Sequence, residues 1–234
     1  MQKKFFQVAI DGPVAAGKGT AAKKVALALK FLYVDTGAMY RAATWLLMAK
    51  KMTIDEAHEA QLLEVLDKVD FGLVNQTDEA GNFFTQVLLD GRDVSSLIRT
   101  PQIDANVSTT ATLPLVRAML VAKQQALASA NSVVMEGRDI GTKVLPAADV
   151  KFFLTASLEV RASRRFATLA LSHPEMTLQD VRAQILERDR IDTHRATDPL
   201  VKADDAILVD TSDDSIEETV AKMLSVIHQK LPVA

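Results

Sequence analysis

The sequence contains no cysteine among its 234 residues. That absence excludes disulfide bonds and thiol catalysis, and it is typical of proteins in a reducing compartment, so we expect a cytoplasmic location. Long hydrophobic runs are also missing. None approaches the roughly 18 apolar residues of a membrane span, and the run before Asp11 is too short for a signal peptide. We therefore expect neither a membrane anchor nor a secretory leader.

An excess of charge of either sign is lacking too. The chain has 27 Lys and Arg against 30 Asp and Glu, a net charge of −3. Such a small charge supplies no basic field, so we expect neither nucleic acid nor a membrane surface as a partner. The 4 histidines lack the spacing of metal ligands, which argues against a histidine metal site. Hydrophobic residues make up 48% of the chain, enough for one sizeable core, and we expect a single domain and a monomer.

Short apolar segments alternate with segments of helical composition along most of the chain. This alternation is typical of a three-layer α/β domain with a parallel sheet, and two of the apolar segments are uniform enough for strands covered on both faces. Strands are predicted at 5–10, 31–35, 132–137, 149–155 and 206–210. Helices are predicted at 19–30, 36–51 with Thr36 as N-cap, 55–66, 101–111, 114–130, 157–171, 177–190 and 215–229.

The alternation changes character between about 69 and 92. There "VDFGLV" and "NFFTQVLLDG" flank the turn-forming "NQTDEAGN", a pattern that predicts a small antiparallel element. We expect it to belong to an α/β insertion at about 63–105.

The stretch "AIDGPVAAGKGTAAKK" matches most of the phosphate-loop pattern G-x-x-x-x-G-K-[ST]. Gly12, Gly17 and Lys18 fit, Gly19 stands at the Ser/Thr position, and Thr20 follows one residue later. Between a strand and a helix, such a loop aims backbone N–H groups at phosphate oxygens while the lysine reaches the β- and γ-phosphates. The alternative is a glycine-rich turn with a solvated lysine, but the strand–loop–helix setting favours a nucleoside triphosphate. Because Gly19 displaces the hydroxyl, we expect Mg²⁺ contact through water and a carboxylate on a second strand.

Arginines follow several predicted strands or lie in the helix pair after the fourth strand. Ligands of open α/β sheets bind at the carboxyl ends of strands, and the planar guanidinium suits phosphate oxygens. For any one arginine a surface salt bridge is the commoner role, but the group beside a phosphate loop indicates two phosphate-bearing substrates. The arginines are Arg41, Arg117, Arg138, Arg161, Arg164, Arg165, Arg188, Arg190 and Arg195.

Six motifs carry a resemblance: "IDGPVAAGKGT", "VDTGAMYRA", "SLIRTPQIDANVSTTATLPLVR", "VMEGRDIGT", "VLPAADVKFFLTASLEVRASRR" and "ERDRIDTHRATDPLVKADDAILVDTS". Together they closely resemble bacterial cytidylate kinases of the long form, over nearly the whole chain. "GKGT" alone would suit adenylate kinases and their relatives, whereas "DTGAMYR" and "EGRDIGT" are more specific. The resemblance implies a P-loop α/β fold with a five-stranded parallel sheet. Its parts would be a core (1–62, 106–160 and 190–234), a monophosphate-binding insert (63–105) and a helical lid (161–189).

The resemblance also implies an enzyme that transfers the γ-phosphoryl group of ATP to CMP or dCMP, with Mg²⁺. Lys18 would bridge donor and acceptor, Arg161 would stack on the adenine, and Arg165 would approach the transferred group from the lid. Glu136, at the end of the third strand, would contact Mg²⁺ through water, with no direct protein ligand to the metal. The implied ATP-binding residues are Gly12, Pro13, Val14, Ala15, Ala16, Gly17, Lys18, Gly19, Thr20 and Arg161.

For the acceptor, the resemblance implies phosphate contacts, base contacts and a sugar contact. An aspartate accepts from the exocyclic amine of cytosine, and a hydroxyl or guanidinium donates to N3 and O2, whereas uracil reverses the polarity of the amine edge. Asp139 could instead pair with Arg138 or cap a turn, Asp192 could be an exposed helix-end charge, and Ser108 could bond its own helix. The implied set is Arg41, Arg138 and Arg188 on the phosphate, Ser108, Arg117 and Asp139 on the base, Asp192 on the sugar, with Arg195 and Thr36 completing it.

One departure from the family pattern concerns Val14 and Ala15, where relatives commonly carry Ser-Gly. If Ala15 requires a positive φ, the loop is strained by about 1 kcal/mol or more. Two other functions stay open at this point: a kinase of the same fold for adenylate, uridylate or shikimate, and a protein that binds ATP without turnover. The long insertion argues against shikimate, and the base-reading trio favours cytosine.

Overall fold

The computed structural model describes residues 5–79, 83–170 and 175–231. Within them, the strands are β1 Gln7–Asp11, β2 Leu32–Asp35, β3 Phe71–Thr77, β4 Phe83–Leu89, β5 Arg92–Asp93, β6 Val133–Glu136, β7 Val150–Thr155 and β8 Ile207–Asp210. Five parallel strands form the main sheet, in the order β2-β6-β1-β7-β8, and three antiparallel strands form a smaller sheet, in the order β3-β4-β5. The predicted five-stranded parallel sheet is confirmed.

Helices cover both faces of the main sheet. They are α1 Lys18–Leu29, α2 Thr36–Ala49, α3 Glu59–Leu66, α4 Pro101–Thr110, α5 Pro114–Ala130, α6 Leu158–Leu169, α7 Leu178–His194 and α8 Ile216–Lys230. Successive residues of a strand face opposite sides, and β1 shows the consequence. Val8 and Ile10 pack in the core shared with α1 and α8, whereas Ala9 packs in the core that includes Val121 of α5. The three-layer architecture follows from this alternation.

The parallel strands end at one edge of the sheet. In the register of the sheet, Ile10 of β1 is opposite Glu136 of β6, and Asp35 of β2 is opposite the same residue. Asp11 is opposite Phe153 of β7. The acidic ends of three neighbouring strands therefore lie together at the edge where α/β folds bind ligands.

The start of α2 differs from the prediction that Thr36 is its N-cap. Asp35 is the cap: its side chain accepts from the N–H of Ala38 at 2.9 Å, and its backbone is extended, with φ −86° and ψ 95°. The Thr36 hydroxyl instead donates to the backbone carbonyl of Glu136 at 2.8 Å. Thr36 is already helical, and a carboxylate at the preceding position complements the helix N-terminus better than a hydroxyl.

Two further elements differ from the predicted spans. The segment predicted as a helix from Asp55 begins with a 3-10 turn, Glu56–His58, capped by Asp55, and becomes α-helical only at Glu59. A π-helical turn at Ile140–Val144, which the sequence did not predict, follows β6. No described helix is both long and apolar enough to cross a bilayer.

The predicted antiparallel element is confirmed by β3, β4 and β5, which pack through Phe71, Val87 and Leu89 onto a core shared with α2, α3 and α5. Residues 75–77, predicted as part of the turn, extend β3 instead, paired with β4. The rest of that predicted turn includes 80–82, which lie outside the described residues. Residues 171–174 lie outside them too: they are the last residue of the helix predicted at 157–171 and the first three of the link between the helices predicted at 157–171 and 177–190.

Gly12 permits the chain to leave β1. Its φ is +145°, and a Cβ built there would lie 2.0 Å from the carbonyl oxygen of Leu154 on β7. No side chain fits without separating the ends of two central strands.

We predict that Gly12→Ala lowers the free energy of unfolding by more than about 3 kcal/mol, because backbone strain adds to a collision with rigid backbone. Gly91→Ala is the matched control: Gly91 also has a positive φ, +76°, but a Cβ added there would have nothing within 4 Å. The control should lose only about 1 kcal/mol. Urea denaturation measures both, and equal losses would contradict the role of Leu154.

Candidate active site

Two cavities open at the carboxyl edge of the main sheet, on either side of the glycine loop at 12–17. The outer cavity has a volume of about 480 Å³, and the inner cavity about 220 Å³. Ala15 and Arg165 line both, so the two cavities meet at the loop and at α6. The outer cavity is lined by Ala15, Ala16, Gly17, Thr20, Arg164, Arg165, Thr168, Thr211, Asp214, Ile216 and Thr219.

The glycine loop leads directly into the N-terminus of α1. Gly17, with φ +85°, precedes the first helical residue, Lys18. The first N–H groups of a helix have no partners within the helix, so this end attracts anions. Ala15 has φ +61°, the left-handed region that an alanine rarely adopts. The expected strain at Ala15 is therefore present.

Glycine at position 19, rather than the usual hydroxyl residue, has a physical reason. A Cβ on Gly19 would lie 2.8 Å from Oε1 of Glu136. The carboxylate at the end of β6 thus occupies the space that a Ser or Thr side chain would need.

Lys18 is almost fully buried, at 5% exposure, and its ammonium donates to the carbonyl of Pro13 at 2.7 Å. Burial, reinforced by the positive charge of Arg138, lowers the pKa of Lys18 to about 7, although Glu136, Asp192 and Asp11 favour its charged form. An anion placed beside this ammonium would restore its charge.

Glu136 and Asp35 are neighbouring carboxylates at the ends of β6 and β2. Burial, and then the charge of Asp35, raise the pKa of Glu136, while Lys18 opposes the rise. The hydroxyl of Tyr33 donates to Glu136 Oε1 at 3.0 Å. In the part of the chain that the structure describes, no three His, Asp or Glu side chains are close enough together to hold a metal. This pair of oxygen-bearing side chains fits Mg²⁺ retained through water, because hard cations prefer oxygen and keep several waters.

The inner cavity brings together every residue predicted to bind the acceptor. They come from α2, α4, α5, α7 and the segment after β6, which lie far apart in sequence. Lys18 and Arg165 line the same cavity. The nine residues are Thr36, Arg41, Ser108, Arg117, Arg138, Asp139, Arg188, Asp192 and Arg195.

Most guanidinium groups of the inner cavity are paired with carboxylates. Arg138 Nε donates to Asp192 at 2.7 Å, so Asp192 is not an exposed helix-end charge. Arg41 donates to Asp104 at 2.7 Å. Arg188 differs: among the described residues its buried Nε has no hydrogen-bond partner. Burial, with repulsion from Arg138 and Arg41, lowers the pKa of Arg188 to about 10.

A second charged group lies deeper, around Arg117. This side chain is 1% exposed, donates to Asp139 at 2.5 Å, and has its guanidinium 5.7 Å from the ring centroid of Tyr40. Asp139 therefore pairs with Arg117, not with Arg138 as the alternative interpretation held, and Arg195 approaches it at 3.7 Å. Burial raises the pKa of Asp139, and the charge of Arg117 opposes this.

Arg161, for which the resemblance implied a contact with adenine, lines neither of the two cavities. Its guanidinium donates to the carbonyls of Ala156 and Val14 and to Asp189 of α7 at 2.5 Å, and it is buried beneath the loop, away from both cavity linings. Asp189 also accepts from the N–H of Val14 at 3.3 Å. The carboxylate of Asp189 gives Arg161 a charged partner within the fold, which holds the guanidinium at this place. Arg161 thus ties the loop to α7, and its stacking on adenine stays a prediction.

Several residues in or beside the cavities received no individual role in the sequence analysis. Arg164, which lines the outer cavity, donates to the hydroxyl and carbonyl of Thr211. Tyr40 lines the inner cavity, and its buried hydroxyl has no partner in the described residues. Asp104 precedes Ser108 by one helical turn, a spacing that could have identified it. Asp11 offered no such signal.

Asp11 orders the backbone behind the site. Its carboxylate accepts from the N–H groups of Ile140 and Gly141 at 2.8 and 2.7 Å, at the start of the π-helical turn. Burial raises the pKa of Asp11 to about 6, although both N–H groups oppose the rise. The turn that follows Asp139 is therefore fixed to the end of β1.

We predict that Ala15→Gly raises the free energy of unfolding by about 1 kcal/mol, because glycine adopts a positive φ without the Cβ clash. Ala16→Gly is the matched control, since Ala16 is fully buried and is not among the positive-φ residues. Losing its methyl should lower stability by about 1 kcal/mol. Urea denaturation distinguishes the two, and a loss at both positions would show that Ala15 is unstrained.

Comparison with known proteins gives the family. A family model described as cytidylate kinase matches residues 8–229. The cytidylate kinase of Carboxydothermus hydrogenoformans is 44% identical over 225 residues, covering 96% of this chain and 98% of the relative. That of Bacillus cereus is 45% identical over 224 residues, covering 96% of each. Among solved structures, an uncharacterized protein from Eubacterium ventriosum has a TM-score of 0.51 at 12% identity, covering 97% of this chain and 99% of that one, a likeness of fold alone. The chain belongs to the cytidylate kinase family.

Proposed function

We propose that the chain transfers the γ-phosphoryl group of ATP to CMP or dCMP, giving ADP and CDP or dCDP. Its family consists of kinases named for this acceptor, which take ATP as phosphoryl donor. One observation carries the proposal beyond family membership: two cavities of unequal size meet at the glycine loop, and Ala15 and Arg165 line both. Two nucleotides in these cavities would face each other end to end with their phosphates at the loop.

In this proposal the outer cavity takes ATP. The loop N–H groups and the start of α1 hold its phosphates, and Arg164 and Thr211, rather than Arg161, border the space left for the adenosine. Mg²⁺, retained through water near Glu136 and Asp35, would neutralise charge on the β- and γ-phosphate oxygens. Glu136 lies beside Gly19 at the start of α1, close to where the loop would hold the phosphates, and this supports the proposed place for the ion.

The acceptor phosphate would lie among Arg41, Arg138 and Arg188 in the inner cavity. The unpartnered Nε of Arg188 and its lowered pKa support this, because a buried guanidinium crowded by like charges gains most from an anion. Asp192 and Arg195 would then contact the sugar and complete the set.

The base would enter the deeper part of the cavity, around Asp139, Arg117 and Ser108. An ionised Asp139 accepts from the amine of cytosine, and Arg117 donates to N3 or O2. Arg117 holds Asp139 at 2.5 Å, so the carboxylate is oriented before the base arrives. Uracil would set its carbonyl against Asp139 and leave both acceptors without a proton, which supports cytosine as the preferred base.

Chemistry in this site needs positioning rather than a general base. The acceptor phosphate oxygen is anionic at neutral pH, so it attacks the γ-phosphorus directly, and the P–O bond to ADP breaks. Lys18 would contact both the donor and the acceptor phosphates, and Arg165 would contact the transferred phosphoryl group, so that both stabilise its negative charge during transfer. Closure of the insert (63–105) and the lid (161–189) over the core would exclude water, which otherwise would hydrolyse ATP.

The substrate assignment is tested by measuring ADP release with CMP, dCMP, UMP, AMP and shikimate at equal concentrations. We expect CMP and dCMP to exceed the others by at least about tenfold in kcat/KM, because mismatched buried hydrogen-bonding groups cost more than about 1 kcal/mol. AMP outperforming CMP would refute the base assignment. Tight ATP binding with no acceptor-dependent ADP release would instead favour a protein that binds ATP without turnover.

The lowered pKa of Lys18 predicts proton uptake when ATP binds. With a pKa of about 7 in the empty site, most Lys18 side chains are neutral at pH 8, and triphosphate contact should return the pKa toward its usual value. Binding at pH 8 should therefore take up close to one proton, and binding at pH 6 should take up almost none through Lys18.

Isothermal titration calorimetry in two buffers of different ionisation enthalpy measures this uptake. Lys18→Arg is the control, because arginine stays protonated at both pH values and should bind ATP at pH 8 without uptake. Equal uptake by the wild type and the arginine variant would show that another group titrates.

A further inference from the structure

Asp104 joins two arginines that belong to different elements. Its Oδ1 accepts from Nη2 and Nε of Arg41 on α2, at 2.7 and 3.2 Å. Its Oδ2 accepts from Nη2 of Arg165 on α6, at 3.2 Å. One carboxylate on α4 thus links two arginines that both line the inner cavity.

Both partners are residues to which the proposed function gives phosphate contacts. Arg41 would hold the acceptor phosphate, and Arg165 would approach the transferred group. A carboxylate that accepts from two guanidinium groups with two oxygens matches the way in which phosphate oxygens are bound. No role of Asp104 follows from the phosphate-transfer reaction itself, which calls for cations at this place.

Asp104 carries its negative charge at neutral pH. Burial opposes the charge, but Arg41, then Arg165 and Arg188, outweigh it and lower the pKa of the carboxyl. The side chains are only partly enclosed, with exposures of 31% for Asp104, 19% for Arg41 and 35% for Arg165. An incoming phosphate can therefore reach the pair without unfolding of the surrounding helices.

We propose that Asp104 stands in for the acceptor phosphate while the site is empty. Its carboxylate neutralises Arg41 and Arg165 and ties α6 to α4, and the phosphomonoester dianion of the acceptor displaces it from Arg165. The inference rests on the proposed function, since it takes the inner cavity as the acceptor site. Asp104 thereby sets acceptor affinity: it competes with the substrate for the same cations.

The test is Asp104→Asn, which keeps shape and removes charge. Titration of CMP into nucleotide-free enzyme should give a Kd about tenfold lower than that of the wild type, because a unit charge several ångströms from a dianion no longer opposes binding. KM for CMP should fall in parallel while kcat changes less than about twofold. Asp104→Ala, which cannot keep an amide hydrogen bond to either arginine, should also bind CMP more tightly.

Glu187→Gln is the matched control. Glu187 pairs with Arg190 at 2.8 Å on the exposed side of α7, and neither residue lines a cavity. The substitution removes the same charge from a carboxylate–arginine pair that is exposed and away from the inner cavity, so CMP affinity should stay as in the wild type. An equal gain in both variants would reduce the effect to net charge and overturn the proposal.

Weaker or unchanged CMP binding by both Asp104 variants would overturn the proposal. If the Kd were unchanged and turnover were also lost, the role of Asp104 would instead be to position Arg41 in the bound state.

Thermal denaturation guards against misfolding: without ligand, Asp104→Asn should melt below the wild type, and CMP should raise the Tm of the variant more than that of the wild type. Titration with inorganic phosphate separates the two proposals. Tighter phosphate binding by the variant sustains the role of Asp104 even if the substrate panel shows that the acceptor is not CMP.

Discussion

Positive charge gathered in a small space is the constraint on which this site depends. Arg41, Arg138 and Arg188 converge in a cavity of about 220 Å³. Their mutual repulsion, added to burial, lowers the pKa of Arg188 to about 10. The fold tolerates this repulsion because Arg41 donates to the carboxylate of Asp104 and Arg138 to that of Asp192, each at 2.7 Å. These side chains thus form a set of ion pairs, which in our proposal a phosphate enters by exchange, so that its affinity depends on how much more strongly than the carboxylate it binds the arginines.

Backbone close packing at the carboxyl edge explains the residues of the glycine loop. Gly12 is required because the backbone of β7 passes too close for a Cβ, whereas at Gly19 a Cβ would meet only the side-chain end of Glu136, which would have to shift. Ala15 follows neither rule: it has φ +61°, so the loop stores strain at the point where the two cavities meet. Arg161 and Asp189, which both bond the backbone of Val14, hold this strained segment in place. The loop is therefore stabilised from α6 and α7, the segment that the family resemblance assigns to the lid.

The acidic residues that end three strands of the main sheet also form hydrogen bonds that order the surrounding structure. Asp11, Asp35 and Glu136 end β1, β2 and β6, and their roles differ. Asp11 orders the turn after β6, Asp35 caps α2, and Glu136 accepts the hydrogen bond of Tyr33. Lys18 lies within the field of this edge, and its pKa of about 7 reflects burial and Arg138 more than the carboxylates.

The amino-acid sequence by itself determined the strands of the main sheet, the helices to within a few residues and the glycine loop, because apolar periodicity and motif spacing are local signals. The nine residues predicted to bind the acceptor came instead from the family resemblance of the motifs, and all nine line the inner cavity. The sequence misplaced the cap of α2 at Thr36, since Asp35 and Thr36 are both good caps and only the strand end decides between them. Tertiary structure alone decided the pairings of Arg161 with Asp189 and of Arg41 with Asp104. Which carboxylate meets which guanidinium depends on helices whose paired residues are 28 and 63 positions apart in sequence, and no local pattern records that distance.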